Sequence, residues 1–370
     1  MNIVILEPYF TGSHASWANE YKTYSRHQVT IVSLNGQYWK WRMHGGAVTL
    51  AGKFLSGTVH ADVLLATDML DLTTFLALTR QVSASTKTAL YFHENQLTYP
   101  WSPNDRDIMK QRDMHYGFIN YSSALAADAV LFYSHYHLNS FLRKLPRFLK
   151  SFPDNNELMT VEQIRQKSSV LHLGMDLKKF DSPGAQHKKR SGNDPPLILW
   201  NHRWEYDKNP EEFFALLYRL DREGYDFEVA VLGECFAQKP EIFLDAREKL
   251  KDKIVHFGYV DNFDDYAAWL WEADILPVTS KHDFFGMSVV EAVYCGCWPL
   301  LPRRLSYPEI FPPDIYEDLY YDDADELIKK MAKAFQGTDH IQQGDLKQRV
   351  EVFSWKTMVC HYDQAIESLT

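Results

Sequence analysis

Short apolar runs of four or five residues recur along the chain, and a polar turn and a stretch of helical period follow each of them. Residues 3–6, 29–32, 63–66, 88–92 and 129–133 read as buried strands, with 170–173 as a further strand. Runs this short and this continuous, separated by helices, are the mark of parallel sheets covered on both faces. A second series of the same kind follows, with strands at 197–200, 228–232, 254–257, 275–278 and 298–301. Helical patterns near 210–222, 240–250, 263–272 and 287–296 connect them.

Between the two series lies a stretch rich in Pro, Gly and charge, including His187-Lys188-Lys189-Arg190. It reads as an interdomain linker over 181–193. The expected organisation is α/β, with a first Rossmann-like domain over 1–180 and a second over 194–354. A last helix over 355–370 packs back on the first domain. Two domains also suit the length, since 370 residues exceed what one core usually fills. Open parallel sheets bind ligands outside the carboxyl ends of their strands. Two such domains are therefore expected to face a central cleft.

Composition narrows the class. At 45% hydrophobic and 24% charged residues, the chain is a globular protein and neither disordered nor fibrous. No stretch reaches the 18 apolar residues expected of a membrane span. Four cysteines, none before Cys235, do not make a secreted disulfide framework. The start, Met1-Asn2-Ile3-Val4-Ile5-Leu6, reads as a first strand and not a signal peptide. A cytoplasmic location is expected. The net charge of −10 is unevenly spread. Residues 1–180 carry 18 Lys+Arg and 14 Asp+Glu, a net of +4, which leaves −14 for the remainder. The first half could face a polyanion that the second would repel; a drift of charge for solubility explains the same numbers.

Several patterns carry little chemistry. No GxGxxG follows a strand and no GxxxxGK[ST] occurs, which removes nicotinamide enzymes and P-loop ATPases. Asp323-Ala324-Asp325 has D-x-D spacing but reads as a helix start, and Asp105-Arg106-Asp107 has the same spacing. His135-Tyr136-His137 alternates as a strand end would and lacks a nearby third ligand. Cys295-Gly296-Cys297 reads as small buried residues at a tight turn. No metal site is expected.

Two stretches carry more. In Lys281-His282-Asp283-Phe284-Phe285-Gly286-Met287-Ser288-Val289-Val290-Glu291, a strand gives way to a helix. The spacing lets the Asp283 and Glu291 carboxylates point the same way, while Gly286 and Met287 offer backbone N–H groups to a phosphate. In Asn201-His202-Arg203-Trp204-Glu205-Tyr206-Asp207-Lys208-Asn209-Pro210, two cations follow a strand at a spacing that can hold a diphosphate. A surface network with Glu205, Asp207, Glu211 and Glu212 is the alternative.

Together these stretches resemble the retaining family-four glycosyltransferases of the GT-B fold. The loop matches their E-x7-E signature, with Asp283 where the first Glu is usual. Leu173-Gly174-Met175-Asp176-Leu177-Lys178-Lys179-Phe180 matches their interdomain segment. Within that family the chain resembles the tRNA-queuosine mannosyltransferase group. The resemblance rests on the segment from Glu7 to Gly12-Ser13-His14, Trp39-Lys40-Trp41-Arg42, Tyr91-Phe92-His93-Glu94-Asn95-Gln96-Leu97-Thr98-Tyr99-Pro100, Glu291 to Cys297, and Tyr307-Pro308-Glu309-Ile310-Phe311-Pro312.

The resemblance implies mannosyl transfer from GDP-mannose to queuosine in a tRNA anticodon, with no cofactor or metal. Arg203, Lys208, Gly286 and Met287 would hold the donor diphosphate, with Gly12 and Ser13 closing on it from the first domain. Glu291 would take the donor ribose, while Asp283 and His93 would serve the transferred sugar. Glu94, Asn95, Gln96, Trp41, Arg42, Arg143, Lys144, Arg147 and Lys150 are the candidate acceptor contacts, although Trp39 and Trp41 read as sharing a strand face, where core packing is the alternative, and 143–150 as a solvated helix face. A lipid, polysaccharide or small-molecule acceptor is the rival enzyme reading; Pro146 interrupts the one basic amphipathic stretch, 141–150, which weighs against a membrane partner. A non-catalytic tRNA-binding protein is the rival from another class, and RNA binding alone does not need a diphosphate cradle.

Overall fold

The structure, a computed structural model, describes residues 1–57, 60–102, 105, 107, 114–182, 194–234, 240–337 and 340–370. Most of the expected linker, 183–193, as well as Arg106 and Cys235, lies outside the described residues. The chain divides into two compact units, Met1–Met175 with Trp355–Thr370, and Asp176–Ser354.

In the first unit the strands are β1 (Asn2–Phe10), β2 (Gln28–Asn35), β3 (Val63–Thr67), β4 (Lys87–Phe92), β5 (Ala129–Phe132) and β6 (Ser168–Val170). They form one parallel sheet in the order β2-β1-β3-β4-β5-β6. The helices are α1 (Gly12–Tyr24), α2 (Trp39–Ser56), α3 (Leu72–Ser83), α4 (Met114–Ala126), α5 (His135–Leu149) and α6 (Thr160–Gln166). Val4, Leu6, Leu64, Ala66, Leu90 and Phe92 alternate along their strands and meet Leu50, Phe54, Phe75 and Phe141 in a single core. The period of two puts these apolar side chains on one face of the sheet.

The second unit repeats the plan. Its strands are β7 (Leu197–Trp200), β8 (Glu228–Leu232), β9 (Ile254–Gly258), β10 (Ile275–Pro277), β11 (Trp298–Pro302) and β12 (Tyr320–Tyr321). The sheet order is β12-β11-β10-β7-β8-β9. Helices α7 (Pro210–Arg222), α8 (Ile242–Lys249), α9 (Phe263–Glu272), α10 (Met287–Tyr294), α11 (Tyr307–Ile310), α12 (Ala324–Phe335) and α13 (His340–Glu351) complete it. The order reverses at β7, which pairs with both β8 and β10, so the loops after β7 and β10 share a topological switch point.

The last helix, α14 (Trp355–Glu367), belongs to the first unit. Trp355 rests against Tyr21 and Tyr362, and buried Asp363 accepts from the Tyr21 and Ser25 hydroxyls. The chain passes between units at Met175, five residues before the expected boundary at 180. The reason is Phe180, which packs on Phe263 and Tyr266 while its carbonyl accepts from the Trp271 indole, all in the second unit.

Four local expectations need correction. The strand expected at 170–173 lies at 168–170, where Ser168, Ser169 and Val170 pair with Val130, Leu131 and Phe132. His135-Tyr136-His137 is not a strand end; it is the first turn of α5, capped by the Ser134 hydroxyl accepting from the His137 N–H. Trp39 and Trp41, read as sharing a strand face, both lie on α2. There Trp39 packs on Trp101 and Tyr116, while Trp41 is 63% exposed. Pro146 does not interrupt α5, which runs through it because Phe141, Leu142, Leu145, Phe148 and Leu149 anchor that face in the core. Arg143, Lys144, Arg147 and Lys150 form the opposite, exposed face.

Candidate active site

In the second unit, the sheet brings the two informative loops together. Strand β7 ends at Trp200, whose indole donates to the His202 carbonyl at 2.9 Å and folds the loop back on itself. Gly233 at the end of β8 has φ +116°, and a side chain there would meet the His202 carbonyl oxygen at 2.0 Å. Only glycine lets these two loops approach so closely. The loop after β10 is tied in by the Lys281 N–H donating to the Asp207 carbonyl at 2.8 Å, and by the Thr279 hydroxyl donating to the Lys208 and Asn209 carbonyls.

Lys208 sits at the centre. Its Nζ donates to the His282 carbonyl at 3.0 Å and lies 3.5 Å from both Asp207 and Asp283. Burial pulls the pKa of this ammonium down, but Asp283 and Asp207 outweigh burial and hold it above the ordinary lysine range. Burial pushes Asp283 up, and Lys208, with His202 and His282, overcomes that and keeps its carboxyl below its usual value. His202 and His282 are pushed down to about 4 by burial and by Lys208, so both are neutral near pH 7. Arg203 is about half exposed and lies 3.2 Å from Glu205. The surface network considered from sequence is thus partly real: Glu205 and Asp207 do pair with the two cations.

Gly286 stands immediately before α10 with φ +98° and makes no side-chain cap, so it and Met287 open that helix with the backbone N–H groups of its first turn. Tyr307 approaches Gly286 from the other side, and its hydroxyl lies 3.4 Å from Asp283. One turn into α10, Glu291 is buried and accepts from the Tyr266 hydroxyl at 2.8 Å. Ser288, on the same helix, bonds His202 Nδ1 through its hydroxyl and accepts from the Asn201 amide through its carbonyl. Two permanent cations, two carboxylates and a helix N-terminus in one place can hold an anionic ligand that also carries hydroxyls.

The first unit assembles a different cluster at the ends of β1, β3 and β4. Glu7, buried in β1, accepts from the Tyr9 N–H at 2.7 Å and from His14 Nδ1 at 3.0 Å. Burial lowers the His14 pKa, but Glu7, Asp68 and Glu94 together raise it to about 9. Asp68 follows β3 and accepts from the backbone N–H groups of His93 and Glu94. His93 follows β4, and its ring stands among those of His14, Trp17, Tyr91 and Tyr133. Burial, then the charge on His14, hold the His93 imidazole well below its usual pKa. Gly12 and Ser13 are exposed at the start of α1, where Gly12 has φ +49°.

The remaining predicted acceptor residues divide into buried and exposed sets. Asn95 is fully buried, and its Oδ1 accepts from the Thr98 N–H and hydroxyl, which shapes the turn. Gln96 is anchored by its N–H to Asn120 and donates its amide to Glu94. Trp41 is exposed, and Arg42 beside it donates to the Asn35 carbonyl. Arg143, Lys144, Arg147 and Lys150 make no ion pair among the described residues. The D-x-D pair Asp105 and Asp107 is held by Lys40, which also lies over the Trp39 and Trp101 rings. Asp323 caps α12 by accepting from the Glu326 N–H, as its position suggested.

Residues 2–175 match the family described as tRNA-queuosine alpha-mannosyltransferase N-terminal, and residues 183–347 match glycosyl transferases group 1. A Drosophila melanogaster protein named tRNA-queuosine alpha-mannosyltransferase is 36% identical over 336 residues, covering 89% of this chain and 86% of its own. The chain belongs to the tRNA-queuosine alpha-mannosyltransferase family. This glycosyltransferase has the GT-B fold, as sucrose-phosphate synthase from Thermosynechococcus elongatus illustrates (TM-score 0.71, 14% identity, 100% and 99% of the two chains). Anabaena HepE in complex with UDP is similar in the same way (TM-score 0.67, 13% identity, all of both chains). No described helix is long and apolar enough to cross a membrane.

Within this family member, sequence reasoning missed Glu7, His14 and Asp68 as site residues, and the supporting hydroxyls of Tyr266 and Tyr307. Asp68 did leave a signal: a carboxylate directly after a five-residue apolar strand, at the end where open sheets bind ligands. Tyr266 left none, because it lies mid-helix in α9 with no motif around it.

Proposed function

We propose that this glycosyltransferase moves mannose from GDP-mannose to queuosine in tRNA, with retention at the anomeric carbon and without a catalytic metal. The observation that carries the donor half is Lys208, buried between Asp207 and Asp283 beside Arg203 and the start of α10. Arg203 and Lys208 neutralise the leaving diphosphate, helped by N–H groups at Gly286 and Met287. Glu291 binds the ribose hydroxyls and Asp283 the hydroxyls of the mannose. Neutral His93 serves the transferred sugar. The bond from the anomeric carbon to the diphosphate oxygen breaks as the bond to the acceptor hydroxyl forms. The acceptor proton leaves with the diphosphate on the same face. Two permanent cations and a helix N-terminus supply the charge stabilisation a divalent ion would otherwise give.

The acceptor half rests on the family match over residues 2–175 and on the exposed, basic face of α5. Arg143, Lys144, Arg147 and Lys150 contact phosphates, with Trp41 and Arg42 nearer the unstacked bases. Transfer places the enzyme where mature tRNA is found, in the cytoplasm.

The decisive experiment incubates the protein with queuosine-containing tRNA and each of several nucleotide sugars, in EDTA, and analyses the nucleoside by mass spectrometry. A hexose added only from GDP-mannose is the expected result. Addition from a different donor overturns the donor assignment. Binding of tRNA with no transfer from any donor would leave a tRNA-binding protein. Replacing the four basic residues of α5 by Ala should weaken tRNA binding and flatten its salt dependence, since each phosphate contact releases counterions.

A further inference from the structure

Glu7, His14 and His93 offer one carboxylate oxygen and two imidazole nitrogens, all within 4.8 Å of one another. Among the described residues, they are the group of three or more His, Cys, Asp or Glu side chains brought that close. The donor set, two nitrogens and one oxygen, is that of three-ligand zinc sites. Bond lengths of about 2.0–2.2 Å would bring tetrahedral ligands to roughly 3.4 Å apart, so the side chains need close by only about an ångström.

A second observation points the same way. His93 is 6% exposed, and neither of its ring nitrogens has a hydrogen-bond partner. A buried imidazole ordinarily satisfies both nitrogens. The His14 ring lies 4.3 Å from the His93 ring, centroid to centroid, and brings the Glu7 carboxylate with it. The second oxygen of Glu7 is fixed by the Tyr9 N–H, and the backbone of His93 is fixed by Asp68. Such outer contacts orient metal ligands. Glu94 lies close enough to favour positive charge at His14, while burial and the neighbouring Glu94 push the Asp68 carboxyl well above its usual pKa.

We propose that Glu7, His14 and His93 bind a zinc-class transition-metal ion, and that filling this site blocks mannosyl transfer by occupying His93. Metal binding takes both imidazoles in their neutral form and so competes with protons. The site itself stands on the cluster alone; only the blocking rests on the proposed function. Burial pushes the Cys295 and Cys297 thiols well above their usual pKa, which disfavours their thiolates as competing ligands.

The test titrates Zn²⁺ into the chelator-treated full chain, read by calorimetry and by competition with a chromophoric chelator. One ion per chain is expected, with affinity reduced on the order of 100-fold in both His14→Ala and His93→Ala. Circular dichroism checks that each variant is folded, and a Cys295→Ala, Cys297→Ala double variant should bind as wild type. Glu7→Gln, which keeps the volume of the side chain, should also bind more weakly. Cobalt(II) should give visible bands without a thiolate charge-transfer band. Equal binding by wild type and all three ligand variants, a thiolate band, or no stoichiometric binding overturns the site. Zinc bound at unit stoichiometry with transfer unaffected overturns the blocking. Absence of transfer under any condition sinks the proposed function but leaves the zinc titration decisive.

Discussion

The two clusters use the same device with different chemistry. In the second unit, a buried ammonium, Lys208, lies between two carboxylates. In the first, an imidazolium, His14, lies against Glu7 with Asp68 and Glu94 near it. Each cation holds buried carboxylates that would otherwise be costly. Lys208 is charged throughout the physiological range, so its site keeps one electrostatic state. His14 titrates near its raised value, so the first site can change state with pH or with a competing cation. The difference separates a cluster of fixed charge in the second unit from one in the first that responds to pH.

Removing Lys208 should produce the largest effect. Lys208→Ala leaves Asp207 and Asp283 facing each other without a cation, and should lower stability by about 3–5 kcal/mol in urea unfolding. Transfer should fall by about 100-fold or more. Wild-type stability would mean that these carboxylates find another partner, and the equivalence between the two clusters would be lost. Arg203→Ala should separate function from structure. Arg203 is half exposed, so stability should stay within about 0.5 kcal/mol while turnover drops on the order of 100-fold. Activity within threefold of wild type would remove Arg203 from the diphosphate site.

The first cluster should announce itself through pH. The His14 pKa is raised to about 9 in the folded chain, against about 6.5 for an unfolded histidine. Its stabilisation is therefore fully present below about pH 6.5 and is lost as pH rises through about 9. Wild type should lose on the order of 3 kcal/mol across that window relative to His14→Gln, measured on chelator-treated protein by urea unfolding at several pH values. Parallel pH profiles for the two proteins would show that His14 carries no charge in the folded state. The window is distinct from anything at the second site, where His202 and His282 titrate at about 4.

The same contrast explains what the sequence could convey. The second site is built from two contiguous stretches, 201–210 and 281–291, at adjacent strand ends. Local spacing alone therefore brought Arg203, Lys208, Asp283, Gly286 and Glu291 into one argument. The first site draws Glu7 from β1, Asp68 and His93 from the residues just after β3 and β4, and His14 from a helix, and only the sheet order brings them together. Strands β3, β7, β8, β10 and β11 were legible because each is a buried apolar run, whereas β12 is too short to leave one. Trp39 and Trp41 misled because alternation over three residues fits a strand as well as the first turn of a helix. The partners of Trp39, Trp101 and Tyr116, are more than 60 residues away, and Trp41 is exposed. The Pro at 146 misled because packing of five core residues outweighs the hydrogen bond it removes.

The smallest expected effect tests how well the second site is prepared before a ligand arrives. The Tyr266 hydroxyl donates to Glu291 at 2.8 Å and so orients the carboxylate proposed to bind the donor ribose. Removing that hydroxyl in Tyr266→Phe frees the carboxylate to rotate, and one neutral-to-charged hydrogen bond is worth about 1–2 kcal/mol. Donor KM and the Kd of free nucleoside diphosphate should both rise roughly fivefold to tenfold, with kcat nearly unchanged, because the ribose is held alike in ground and transition states. A matching fall in kcat with KM constant would move Glu291 from the ribose to the reacting centre. No change in either parameter would mean that α9 contributes packing alone and that Glu291 is oriented by α10 itself.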